Sequence, residues 1–502
     1  MGGALAFPPA GADTPPQVVP EVPVSATDLR AAAASNSPVL AADPDEPRFV
    51  VAAHRLDAPD FGCALQVSGD RGQSWVPANP IPELPASADK CYAPEVAFDA
   101  DGTLYYLFVG LKDQGNQPVG AYLTTSDNRG RSFTAPRMVL GPDNFQVRMA
   151  IDPAIGPRGR IHLVWLKALS DPPLGGLTNE PHPILAAHSD DGGRTFSEPV
   201  PVSDPARQRS VAPALVVGAG SAVHVAYYDL RDDFRDYQGL EGPPWADPWS
   251  LVLTTSTDRG ASFGPAVEVD AGIIPPGRVM LIFTMAPPSL ATGGDGRLYL
   301  SWWDSRAGDP DVFVARSPDG GRTWDPPARL NDDPQGSGAD QYLPRVSVAP
   351  GGRVDAVFLD RRNDPDNLRN DVYYTFSTDG GSTFAPNVRV TSGNSDSRIG
   401  QGYAIPSAKG MTEIGSRLAL LSRPADALAA WPDTRFSGPF TKQQDLYAAR
   451  VVLGPEPDDE GDGGSSPLPL VGAAAGGAVV LAVVFLALRR RRPKLVGGRE
   501  DM

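Results

Sequence analysis

Three groups of side chains in this chain have types and spacings suited to chemistry. Tyr237, Glu241 and Trp245 follow Tyr228 in one stretch. Aromatic faces mixed with a carboxylate suit a sugar, whose ring stacks while its hydroxyls donate. Asp360–Asp371 reads D-R-R-N-D-P-D-N-L-R-N-D. It has carboxylates enough for Ca²⁺ but lacks the ordered ligand spacing of a calcium loop. The pair Asp-x-Arg closes the second extended run of four consecutive repeats, as Asp229/Arg231, Asp304/Arg306, Asp360/Arg362 and Asp433/Arg435. A repeated ion pair reads first as a lock for a loop and second as a charged funnel for a ligand. Nothing has the His/Cys spacing of a zinc site. The sequence therefore implies no cofactor, with Ca²⁺ the one metal for which donors exist.

The elements that must position these residues are set by a repeat. The octamer S-x-D-x-G-x-x-W/F occurs six times, at Ser68–Trp75, Ser126–Phe133, Ser189–Phe196, Ser256–Phe263, Ser317–Trp324 and Ser377–Phe384. Successive starts are 58, 63, 67, 61 and 60 residues apart, which marks a repeat architecture. Each octamer lies between two extended apolar runs and so reads as a hairpin turn. Ser and Asp accept backbone N–H groups within the turn, Gly supplies a positive φ, and the closing Trp or Phe packs the turn onto the sheet. The Asp positions are Asp70, Asp191, Asp258, Asp319 and Asp379, with Asn128 in the second copy. A carboxylate repeated around an array is structural, because one active site cannot occur six times.

This octamer resembles the Asp box, or bacterial neuraminidase repeat, of sialidase-like β-propellers. The resemblance covers residues 17–453 and implies a ring of four-stranded antiparallel blades. It places the octamers on one face and the B–C and D–A connections, with any ligand site, on the other. Sialidases are similar in using an arginine triad for the substrate carboxylate, a Tyr nucleophile assisted by Glu, and an Asp acid, unlike the two-carboxylate scheme of most glycosidases. Their marker, Phe/Tyr-Arg-Ile-Pro ahead of the first octamer, is absent. The nearest string is Tyr403-Ala-Ile-Pro406, in a different repeat. Arg148, Arg209, Arg345 and Arg417 lie near the starts of A strands, where the resemblance would place a triad. Tyr403 and Glu413 share one connection on that face.

Six octamers do not fix the number of blades. After the sixth, Arg417–Leu421, Ala427–Trp431 and Leu446–Val451 read as three more strands with no fourth. The missing strand is expected at the N-terminus, since Val22-Pro-Val-Ser25 repeats Val200-Pro-Val-Ser203. The fold expected is thus all-β, a seven-bladed propeller closed by its N-terminal strand; the alternative is the six-bladed ring usual in sialidases. Closure leaves no open sheet edge. Long connections at 167–183, 229–248, 270–285 and 391–415 are expected to build a pocket rim. The two cysteines, Cys63 and Cys91, fall at one face and are expected to bridge if the protein is exported.

A net charge of −16 argues against nucleic acid, though a local arginine cluster could still hold an anion. Residues 1–16 are small and Pro-rich and read as disordered, without the pattern of a signal peptide, which is expected upstream. Residues 454–467 form an acidic Gly/Pro/Ser linker. Leu468–Leu488 is almost wholly apolar and long enough, at roughly 30 Å as a helix, to cross a bilayer. Arg489–Arg492 follow at once, so residues 489–502 are expected in the cytoplasm and the propeller outside. The reading is a single-pass, membrane-anchored surface propeller binding a glycan or protein ligand. The alternative is an exo-sialidase or related glycoside hydrolase.

Overall fold

The computed structural model describes residues 15–25 and 34–454, apart from 59, 80–81, 115, 157, 168–181, 205–206, 208, 232–247, 275–285, 397, 399–413 and 438–442. The chain divides into Met1–Pro455 and Glu456–Met502, and every residue of the second part lies outside the described residues. Among the described residues no helix is long and apolar enough to cross a membrane. The expected span 468–488 falls outside them.

Seven antiparallel sheets follow one another along the chain. The first blade is Ser35–Ala42, Val50–Leu56, Gly62–Ser68 and Val76–Pro77. The third is Asn144–Asp152, Arg160–Lys167, Ile184–Ser189 and Val200–Pro201. The innermost strand of each blade touches the innermost strand of both neighbours, and the seventh touches the first, so the ring is closed. The six-bladed alternative is thereby excluded: Ala419–Ser422, Asp426–Asp433 and Asp445–Val452 form a blade in register with the others.

The N-terminal segment completes that blade. Gln17 and Val18 pair with Val452 and Val451, and Val22 and Pro23 with Ala448 and Tyr447. Glu21 is ion-paired with Arg435. Burial between blades supplies the cohesion. Trp165, Trp302 and Trp431 are fully buried on the second strands of blades 3, 5 and 7. Each such side chain contributes about 1.5–3 kcal/mol through burial.

The octamers join the third and fourth strands at one end of every blade but the last. In the fifth, Ser317 Oγ donates to Asp319 Oδ1 at 3.0 Å and accepts the Gly321 N–H at 2.8 Å. Asp319 accepts the N–H groups of Arg322 and Thr323 and the Thr323 hydroxyl. Asn128 works in the second copy because its Oδ1 accepts the Ser132 N–H at 2.9 Å while its amide donates to Ser132 Oγ at 2.7 Å. The glycine also has a second role. At Gly321 φ is +89°, and a Cβ would meet Leu253 of the preceding blade at 2.3 Å. The octamer is therefore an interblade contact as well as a turn.

Candidate functional site

The innermost strands share a second device. Their ladders slip register between Asn36 and Val39, Tyr92 and Glu95, Phe145 and Arg148, Val211 and Ala214, and Tyr342 and Arg345. Within each slip one residue has a left-handed backbone: Ser37, Ala93, Gln146, Ala212 and Leu343, with φ of 50–55°. Gly415 takes the same place in blade 7, with φ of +94°. A non-glycine residue in this region costs about 1 kcal/mol or more, so recurrence marks a built bulge. Proline follows in four of them, Pro38, Pro94, Pro213 and Pro344, where no ladder N–H is needed.

The ladder resumes two residues past each left-handed position, at the residue nearest the ring centre. In chain order these residues are Val39, Glu95, Arg148, Ala214, Ser289, Arg345 and Arg417, with Ser289 opening the fifth inner strand. Arg148 Nη1 and Arg417 Nη1 both donate to Glu95 Oε1, at 3.0 and 2.6 Å. These three come from blades 3, 7 and 2, so the contact spans blade 1. Arg417 also donates from Nε to Ser37 O at 3.3 Å and from Nη2 to Pro94 O at 2.9 Å. Arg148 Nε donates to Pro213 O at 3.2 Å. The slipped register leaves bulge carbonyls unpaired in the ladder, and the arginines take them up.

Arg345 differs. Among the described residues it has no hydrogen-bond or ion-pair partner. Its guanidinium is close enough to feel Arg417, Glu95 and Arg148, and burial pulls its pKa down to about 10, with Arg417 adding to the effect. It stays charged at neutral pH. Three arginines against one glutamate leave the cluster at +2 in an acidic protein. Low-dielectric walls strengthen that field locally.

Beside the cluster lies a depression whose empty space, mouth included, is about 620 Å³. It is lined by the apolar Val109, Leu111, Pro118 and Phe145 together with Arg148, Arg417 and Arg55. Arg55 donates from Nη1 to the Tyr92 hydroxyl at 2.6 Å and is paired with Asp57 at 2.5 Å. Asp57 Oδ2 also accepts from Asn36 Nδ2 at 2.8 Å. Burial pushes the Tyr92 hydroxyl up to about 12 against the pull of Arg55. The disulfide Cys63–Cys91 braces this contact from beside it: Cys63 lies on the strand next to that of Arg55, paired with it in register, and Cys91 precedes Tyr92.

The structure thus brings together Arg148, Arg345 and Arg417. Arg209 stands apart, five residues before Ala214 in blade 4, in a bridge to His182. Tyr403, Glu413, Tyr237, Glu241 and Trp245 lie outside the described residues. Glu95, Arg55 and Tyr92 are site residues that the sequence reading missed. The signal for Tyr92 and Glu95 was the recurrent x-Pro bulge string, as in Tyr92-Ala-Pro-Glu95 and Tyr342-Leu-Pro-Arg345; Arg55, on a second strand, carried none.

The other candidate groups serve the frame. Each Asp-x-Arg aspartate accepts the N–H of its arginine, at 2.8–3.0 Å. Arg306 and Arg362 then reach acids of the preceding blade, Asp270 and Asp332, and so lock neighbours together. In Asp360–Asp371 three carboxylates are engaged within the loop or by arginines: Asp360 pairs with Arg362, Asp364 accepts the N–H groups of Leu368 and Arg369, and Asp371 pairs with Arg389. Among the described residues no three metal-ligating side chains converge.

The fold and centre define a seven-bladed β-propeller with a cationic cluster on its axis. No protein-family model and no curated protein sequence matches the chain. Solved structures similar to it include a protein of unknown function from Dyadobacter fermentans, at 17% identity and TM-score 0.44, covering 74% of this chain and 97% of that one. A Hadza microbial sialidase is 14% identical at TM-score 0.44, covering 81% and 74%. A polysaccharide lyase, an ulvan lyase, is 12% identical at TM-score 0.48, covering 87% and 96%. At these values no residue role passes from them to this chain.

Proposed function

We propose that this protein is a membrane-anchored, sialidase-like surface propeller that binds the acidic group of a glycan at Arg345 and Arg148. The observation that carries this reading is the partner-free guanidinium of Arg345. Arg345 is half-buried beside two further arginines, so an anionic ligand there gains a charge-assisted partner and relieves their repulsion. Arg148 Nη2 is a second donor with no partner among the described residues, whereas Arg417 is fully engaged. A carboxylate fits two such planar donors.

Binding fits this centre better than hydrolysis. A glycosidase needs a nucleophile and a proton donor. Here Glu95 is taken up by two arginines, and Asp57 by Arg55 and Asn36. The test is a binding screen of the full chain in detergent against acidic and matched neutral glycans, beside a fluorogenic sialoside assay. Acidic glycans are expected to bind and Arg345→Ala to abolish binding, with no turnover. Equal binding of neutral glycans would refute the proposal, and turnover would make the protein a hydrolase.

A further inference from the structure

Glu95 stands where a ligand's carboxylate would stand. It accepts from two of the three ring arginines through a single oxygen, Oε1, at 2.6 and 3.0 Å. Its neighbours hold it there. The bulge at Ala93 aims it at the axis, and Arg417 Nη2 grips Pro94 O, the carbonyl one residue before it, at 2.9 Å. The equivalent positions in blades 4 and 5 are Ala214 and Ser289, and blade 1 has Val39, so no other ring residue is anionic. One carboxylate on seven ring positions, placed on the arginines, has a consequence for any anion that enters.

We infer that Glu95 is a built-in counter-anion that occupies the arginine cluster in the unliganded protein and sets which anions the site accepts. This rests on the reading of the cluster as an anion site. With Glu95 in place, the donors left open are Arg345 and one nitrogen of Arg148. A singly charged carboxylate finds two guanidinium groups there. A compact dianion such as sulfate must approach the Glu95 carboxylate within the same low-dielectric space, where like charges repel strongly. Glu95 therefore selects carboxylates over dianions and keeps affinity moderate. Without it, the cluster carries one more positive charge and takes either class more tightly.

The experiment uses the full chain in detergent, with sodium glucuronate, sodium sulfate and neutral glucose as probes. Calorimetry and melting temperature are read for the wild type, Glu95→Gln, Glu95→Asp and Arg345→Ala. Glu95→Gln is expected to bind sulfate at least about tenfold more tightly than the wild type, since one like charge is gone. Its melting temperature is expected to fall in low salt and to recover on adding sulfate, a recovery the wild type lacks. Glu95→Asp, which keeps the charge but withdraws it, is expected to lie between the two, and it carries the comparison if Glu95→Gln does not fold. If the wild type binds glucuronate in an Arg345-dependent way but the Glu95 variants show unchanged sulfate affinity, the counter-anion role is overturned and the anion site stands. If no form binds either anion, the anion site itself falls.

Discussion

The hydroxyl of Ser25 accepts the N–H of Leu446 at 2.8 Å, across 421 positions of chain. Ser203 Oγ does the same for the Ile184 N–H in blade 3, at 3.0 Å. Val24 and Val202 match as well, each donating to the carbonyl of that same partner, Leu446 or Ile184. The N-terminal strand is thus an ordinary fourth strand supplied from the far end of the chain. Arg435 fastens it by gripping both Glu21 and the Ser392 hydroxyl of blade 6.

Removing that strand is expected to open the ring. Deletion of residues 1–25 exposes the edge of Asp445–Val452 and the buried Val24 contacts. Its melting temperature is expected to fall well below that of a chain lacking only residues 1–14, which should match the full-length protein. Identical melting curves for the two truncations would mean that the strand does not close the blade.

The octamers make a paired prediction. Asp319→Ala leaves turn N–H groups without acceptors and is expected to cost about 1–3 kcal/mol. Gly321→Ala meets two penalties, a positive φ and the Leu253 side chain of the preceding blade, and is expected to cost about 2–4 kcal/mol. Both losses are read by denaturant unfolding. Neither should alter anion binding in the folded protein, because the octamers lie at the end away from Arg345. A change in affinity at full folding would contradict the placement of the site.

What the sequence disclosed and what it hid follow from locality. The octamer satisfies its own hydrogen bonds within eight residues, so Ser317, Asp319 and Gly321 announce the turn without any tertiary knowledge. The closing strand was legible because Val22–Ser25 copies Val200–Ser203. The ring centre is different. Glu95 acts on Arg417, 322 positions away, and nothing near Glu95 in the chain signals that partner. Arg209 and Arg148 look alike by their nearness to a strand start. Only the bulge register separates them: Arg148 lies two residues after the left-handed Gln146, and Arg209 lies before its blade's left-handed Ala212.

Membrane topology is tested on intact cells or spheroplasts. Residues 468–488 are proposed to span the bilayer, with the acidic linker outside and Arg489–Arg492 inside. External protease is expected to cut within 454–467 and release a soluble propeller, while a tag at Met502 stays protected until the membrane is breached. A digested tag with a protected propeller would reverse the orientation.

The last prediction concerns acid. His54, His162 and His224 lie on second strands, and burial lowers each from 6.5 to about 4. His54 has neither ring nitrogen hydrogen-bonded. Because each folded pKa lies below the unfolded value, the unfolded chain binds more protons between about pH 4 and 6.5. The stabilisation is therefore complete above pH 6.5 and is lost as pH falls toward 4, by roughly 3 kcal/mol per histidine. The octamer carboxylates act lower. Asp258 is held at about 2 by the Ser262 and Ser256 hydroxyls, so its contribution persists until pH falls below the ordinary aspartate range. Three histidines together rival the 5–15 kcal/mol, roughly, that holds a typical domain folded. The melting temperature is expected to be flat from pH 8 to 7, to fall steeply between 6.5 and 4, and to fall less steeply in a His54→Leu variant. A flat profile down to pH 4.5 would show that these rings are not buried in the neutral form.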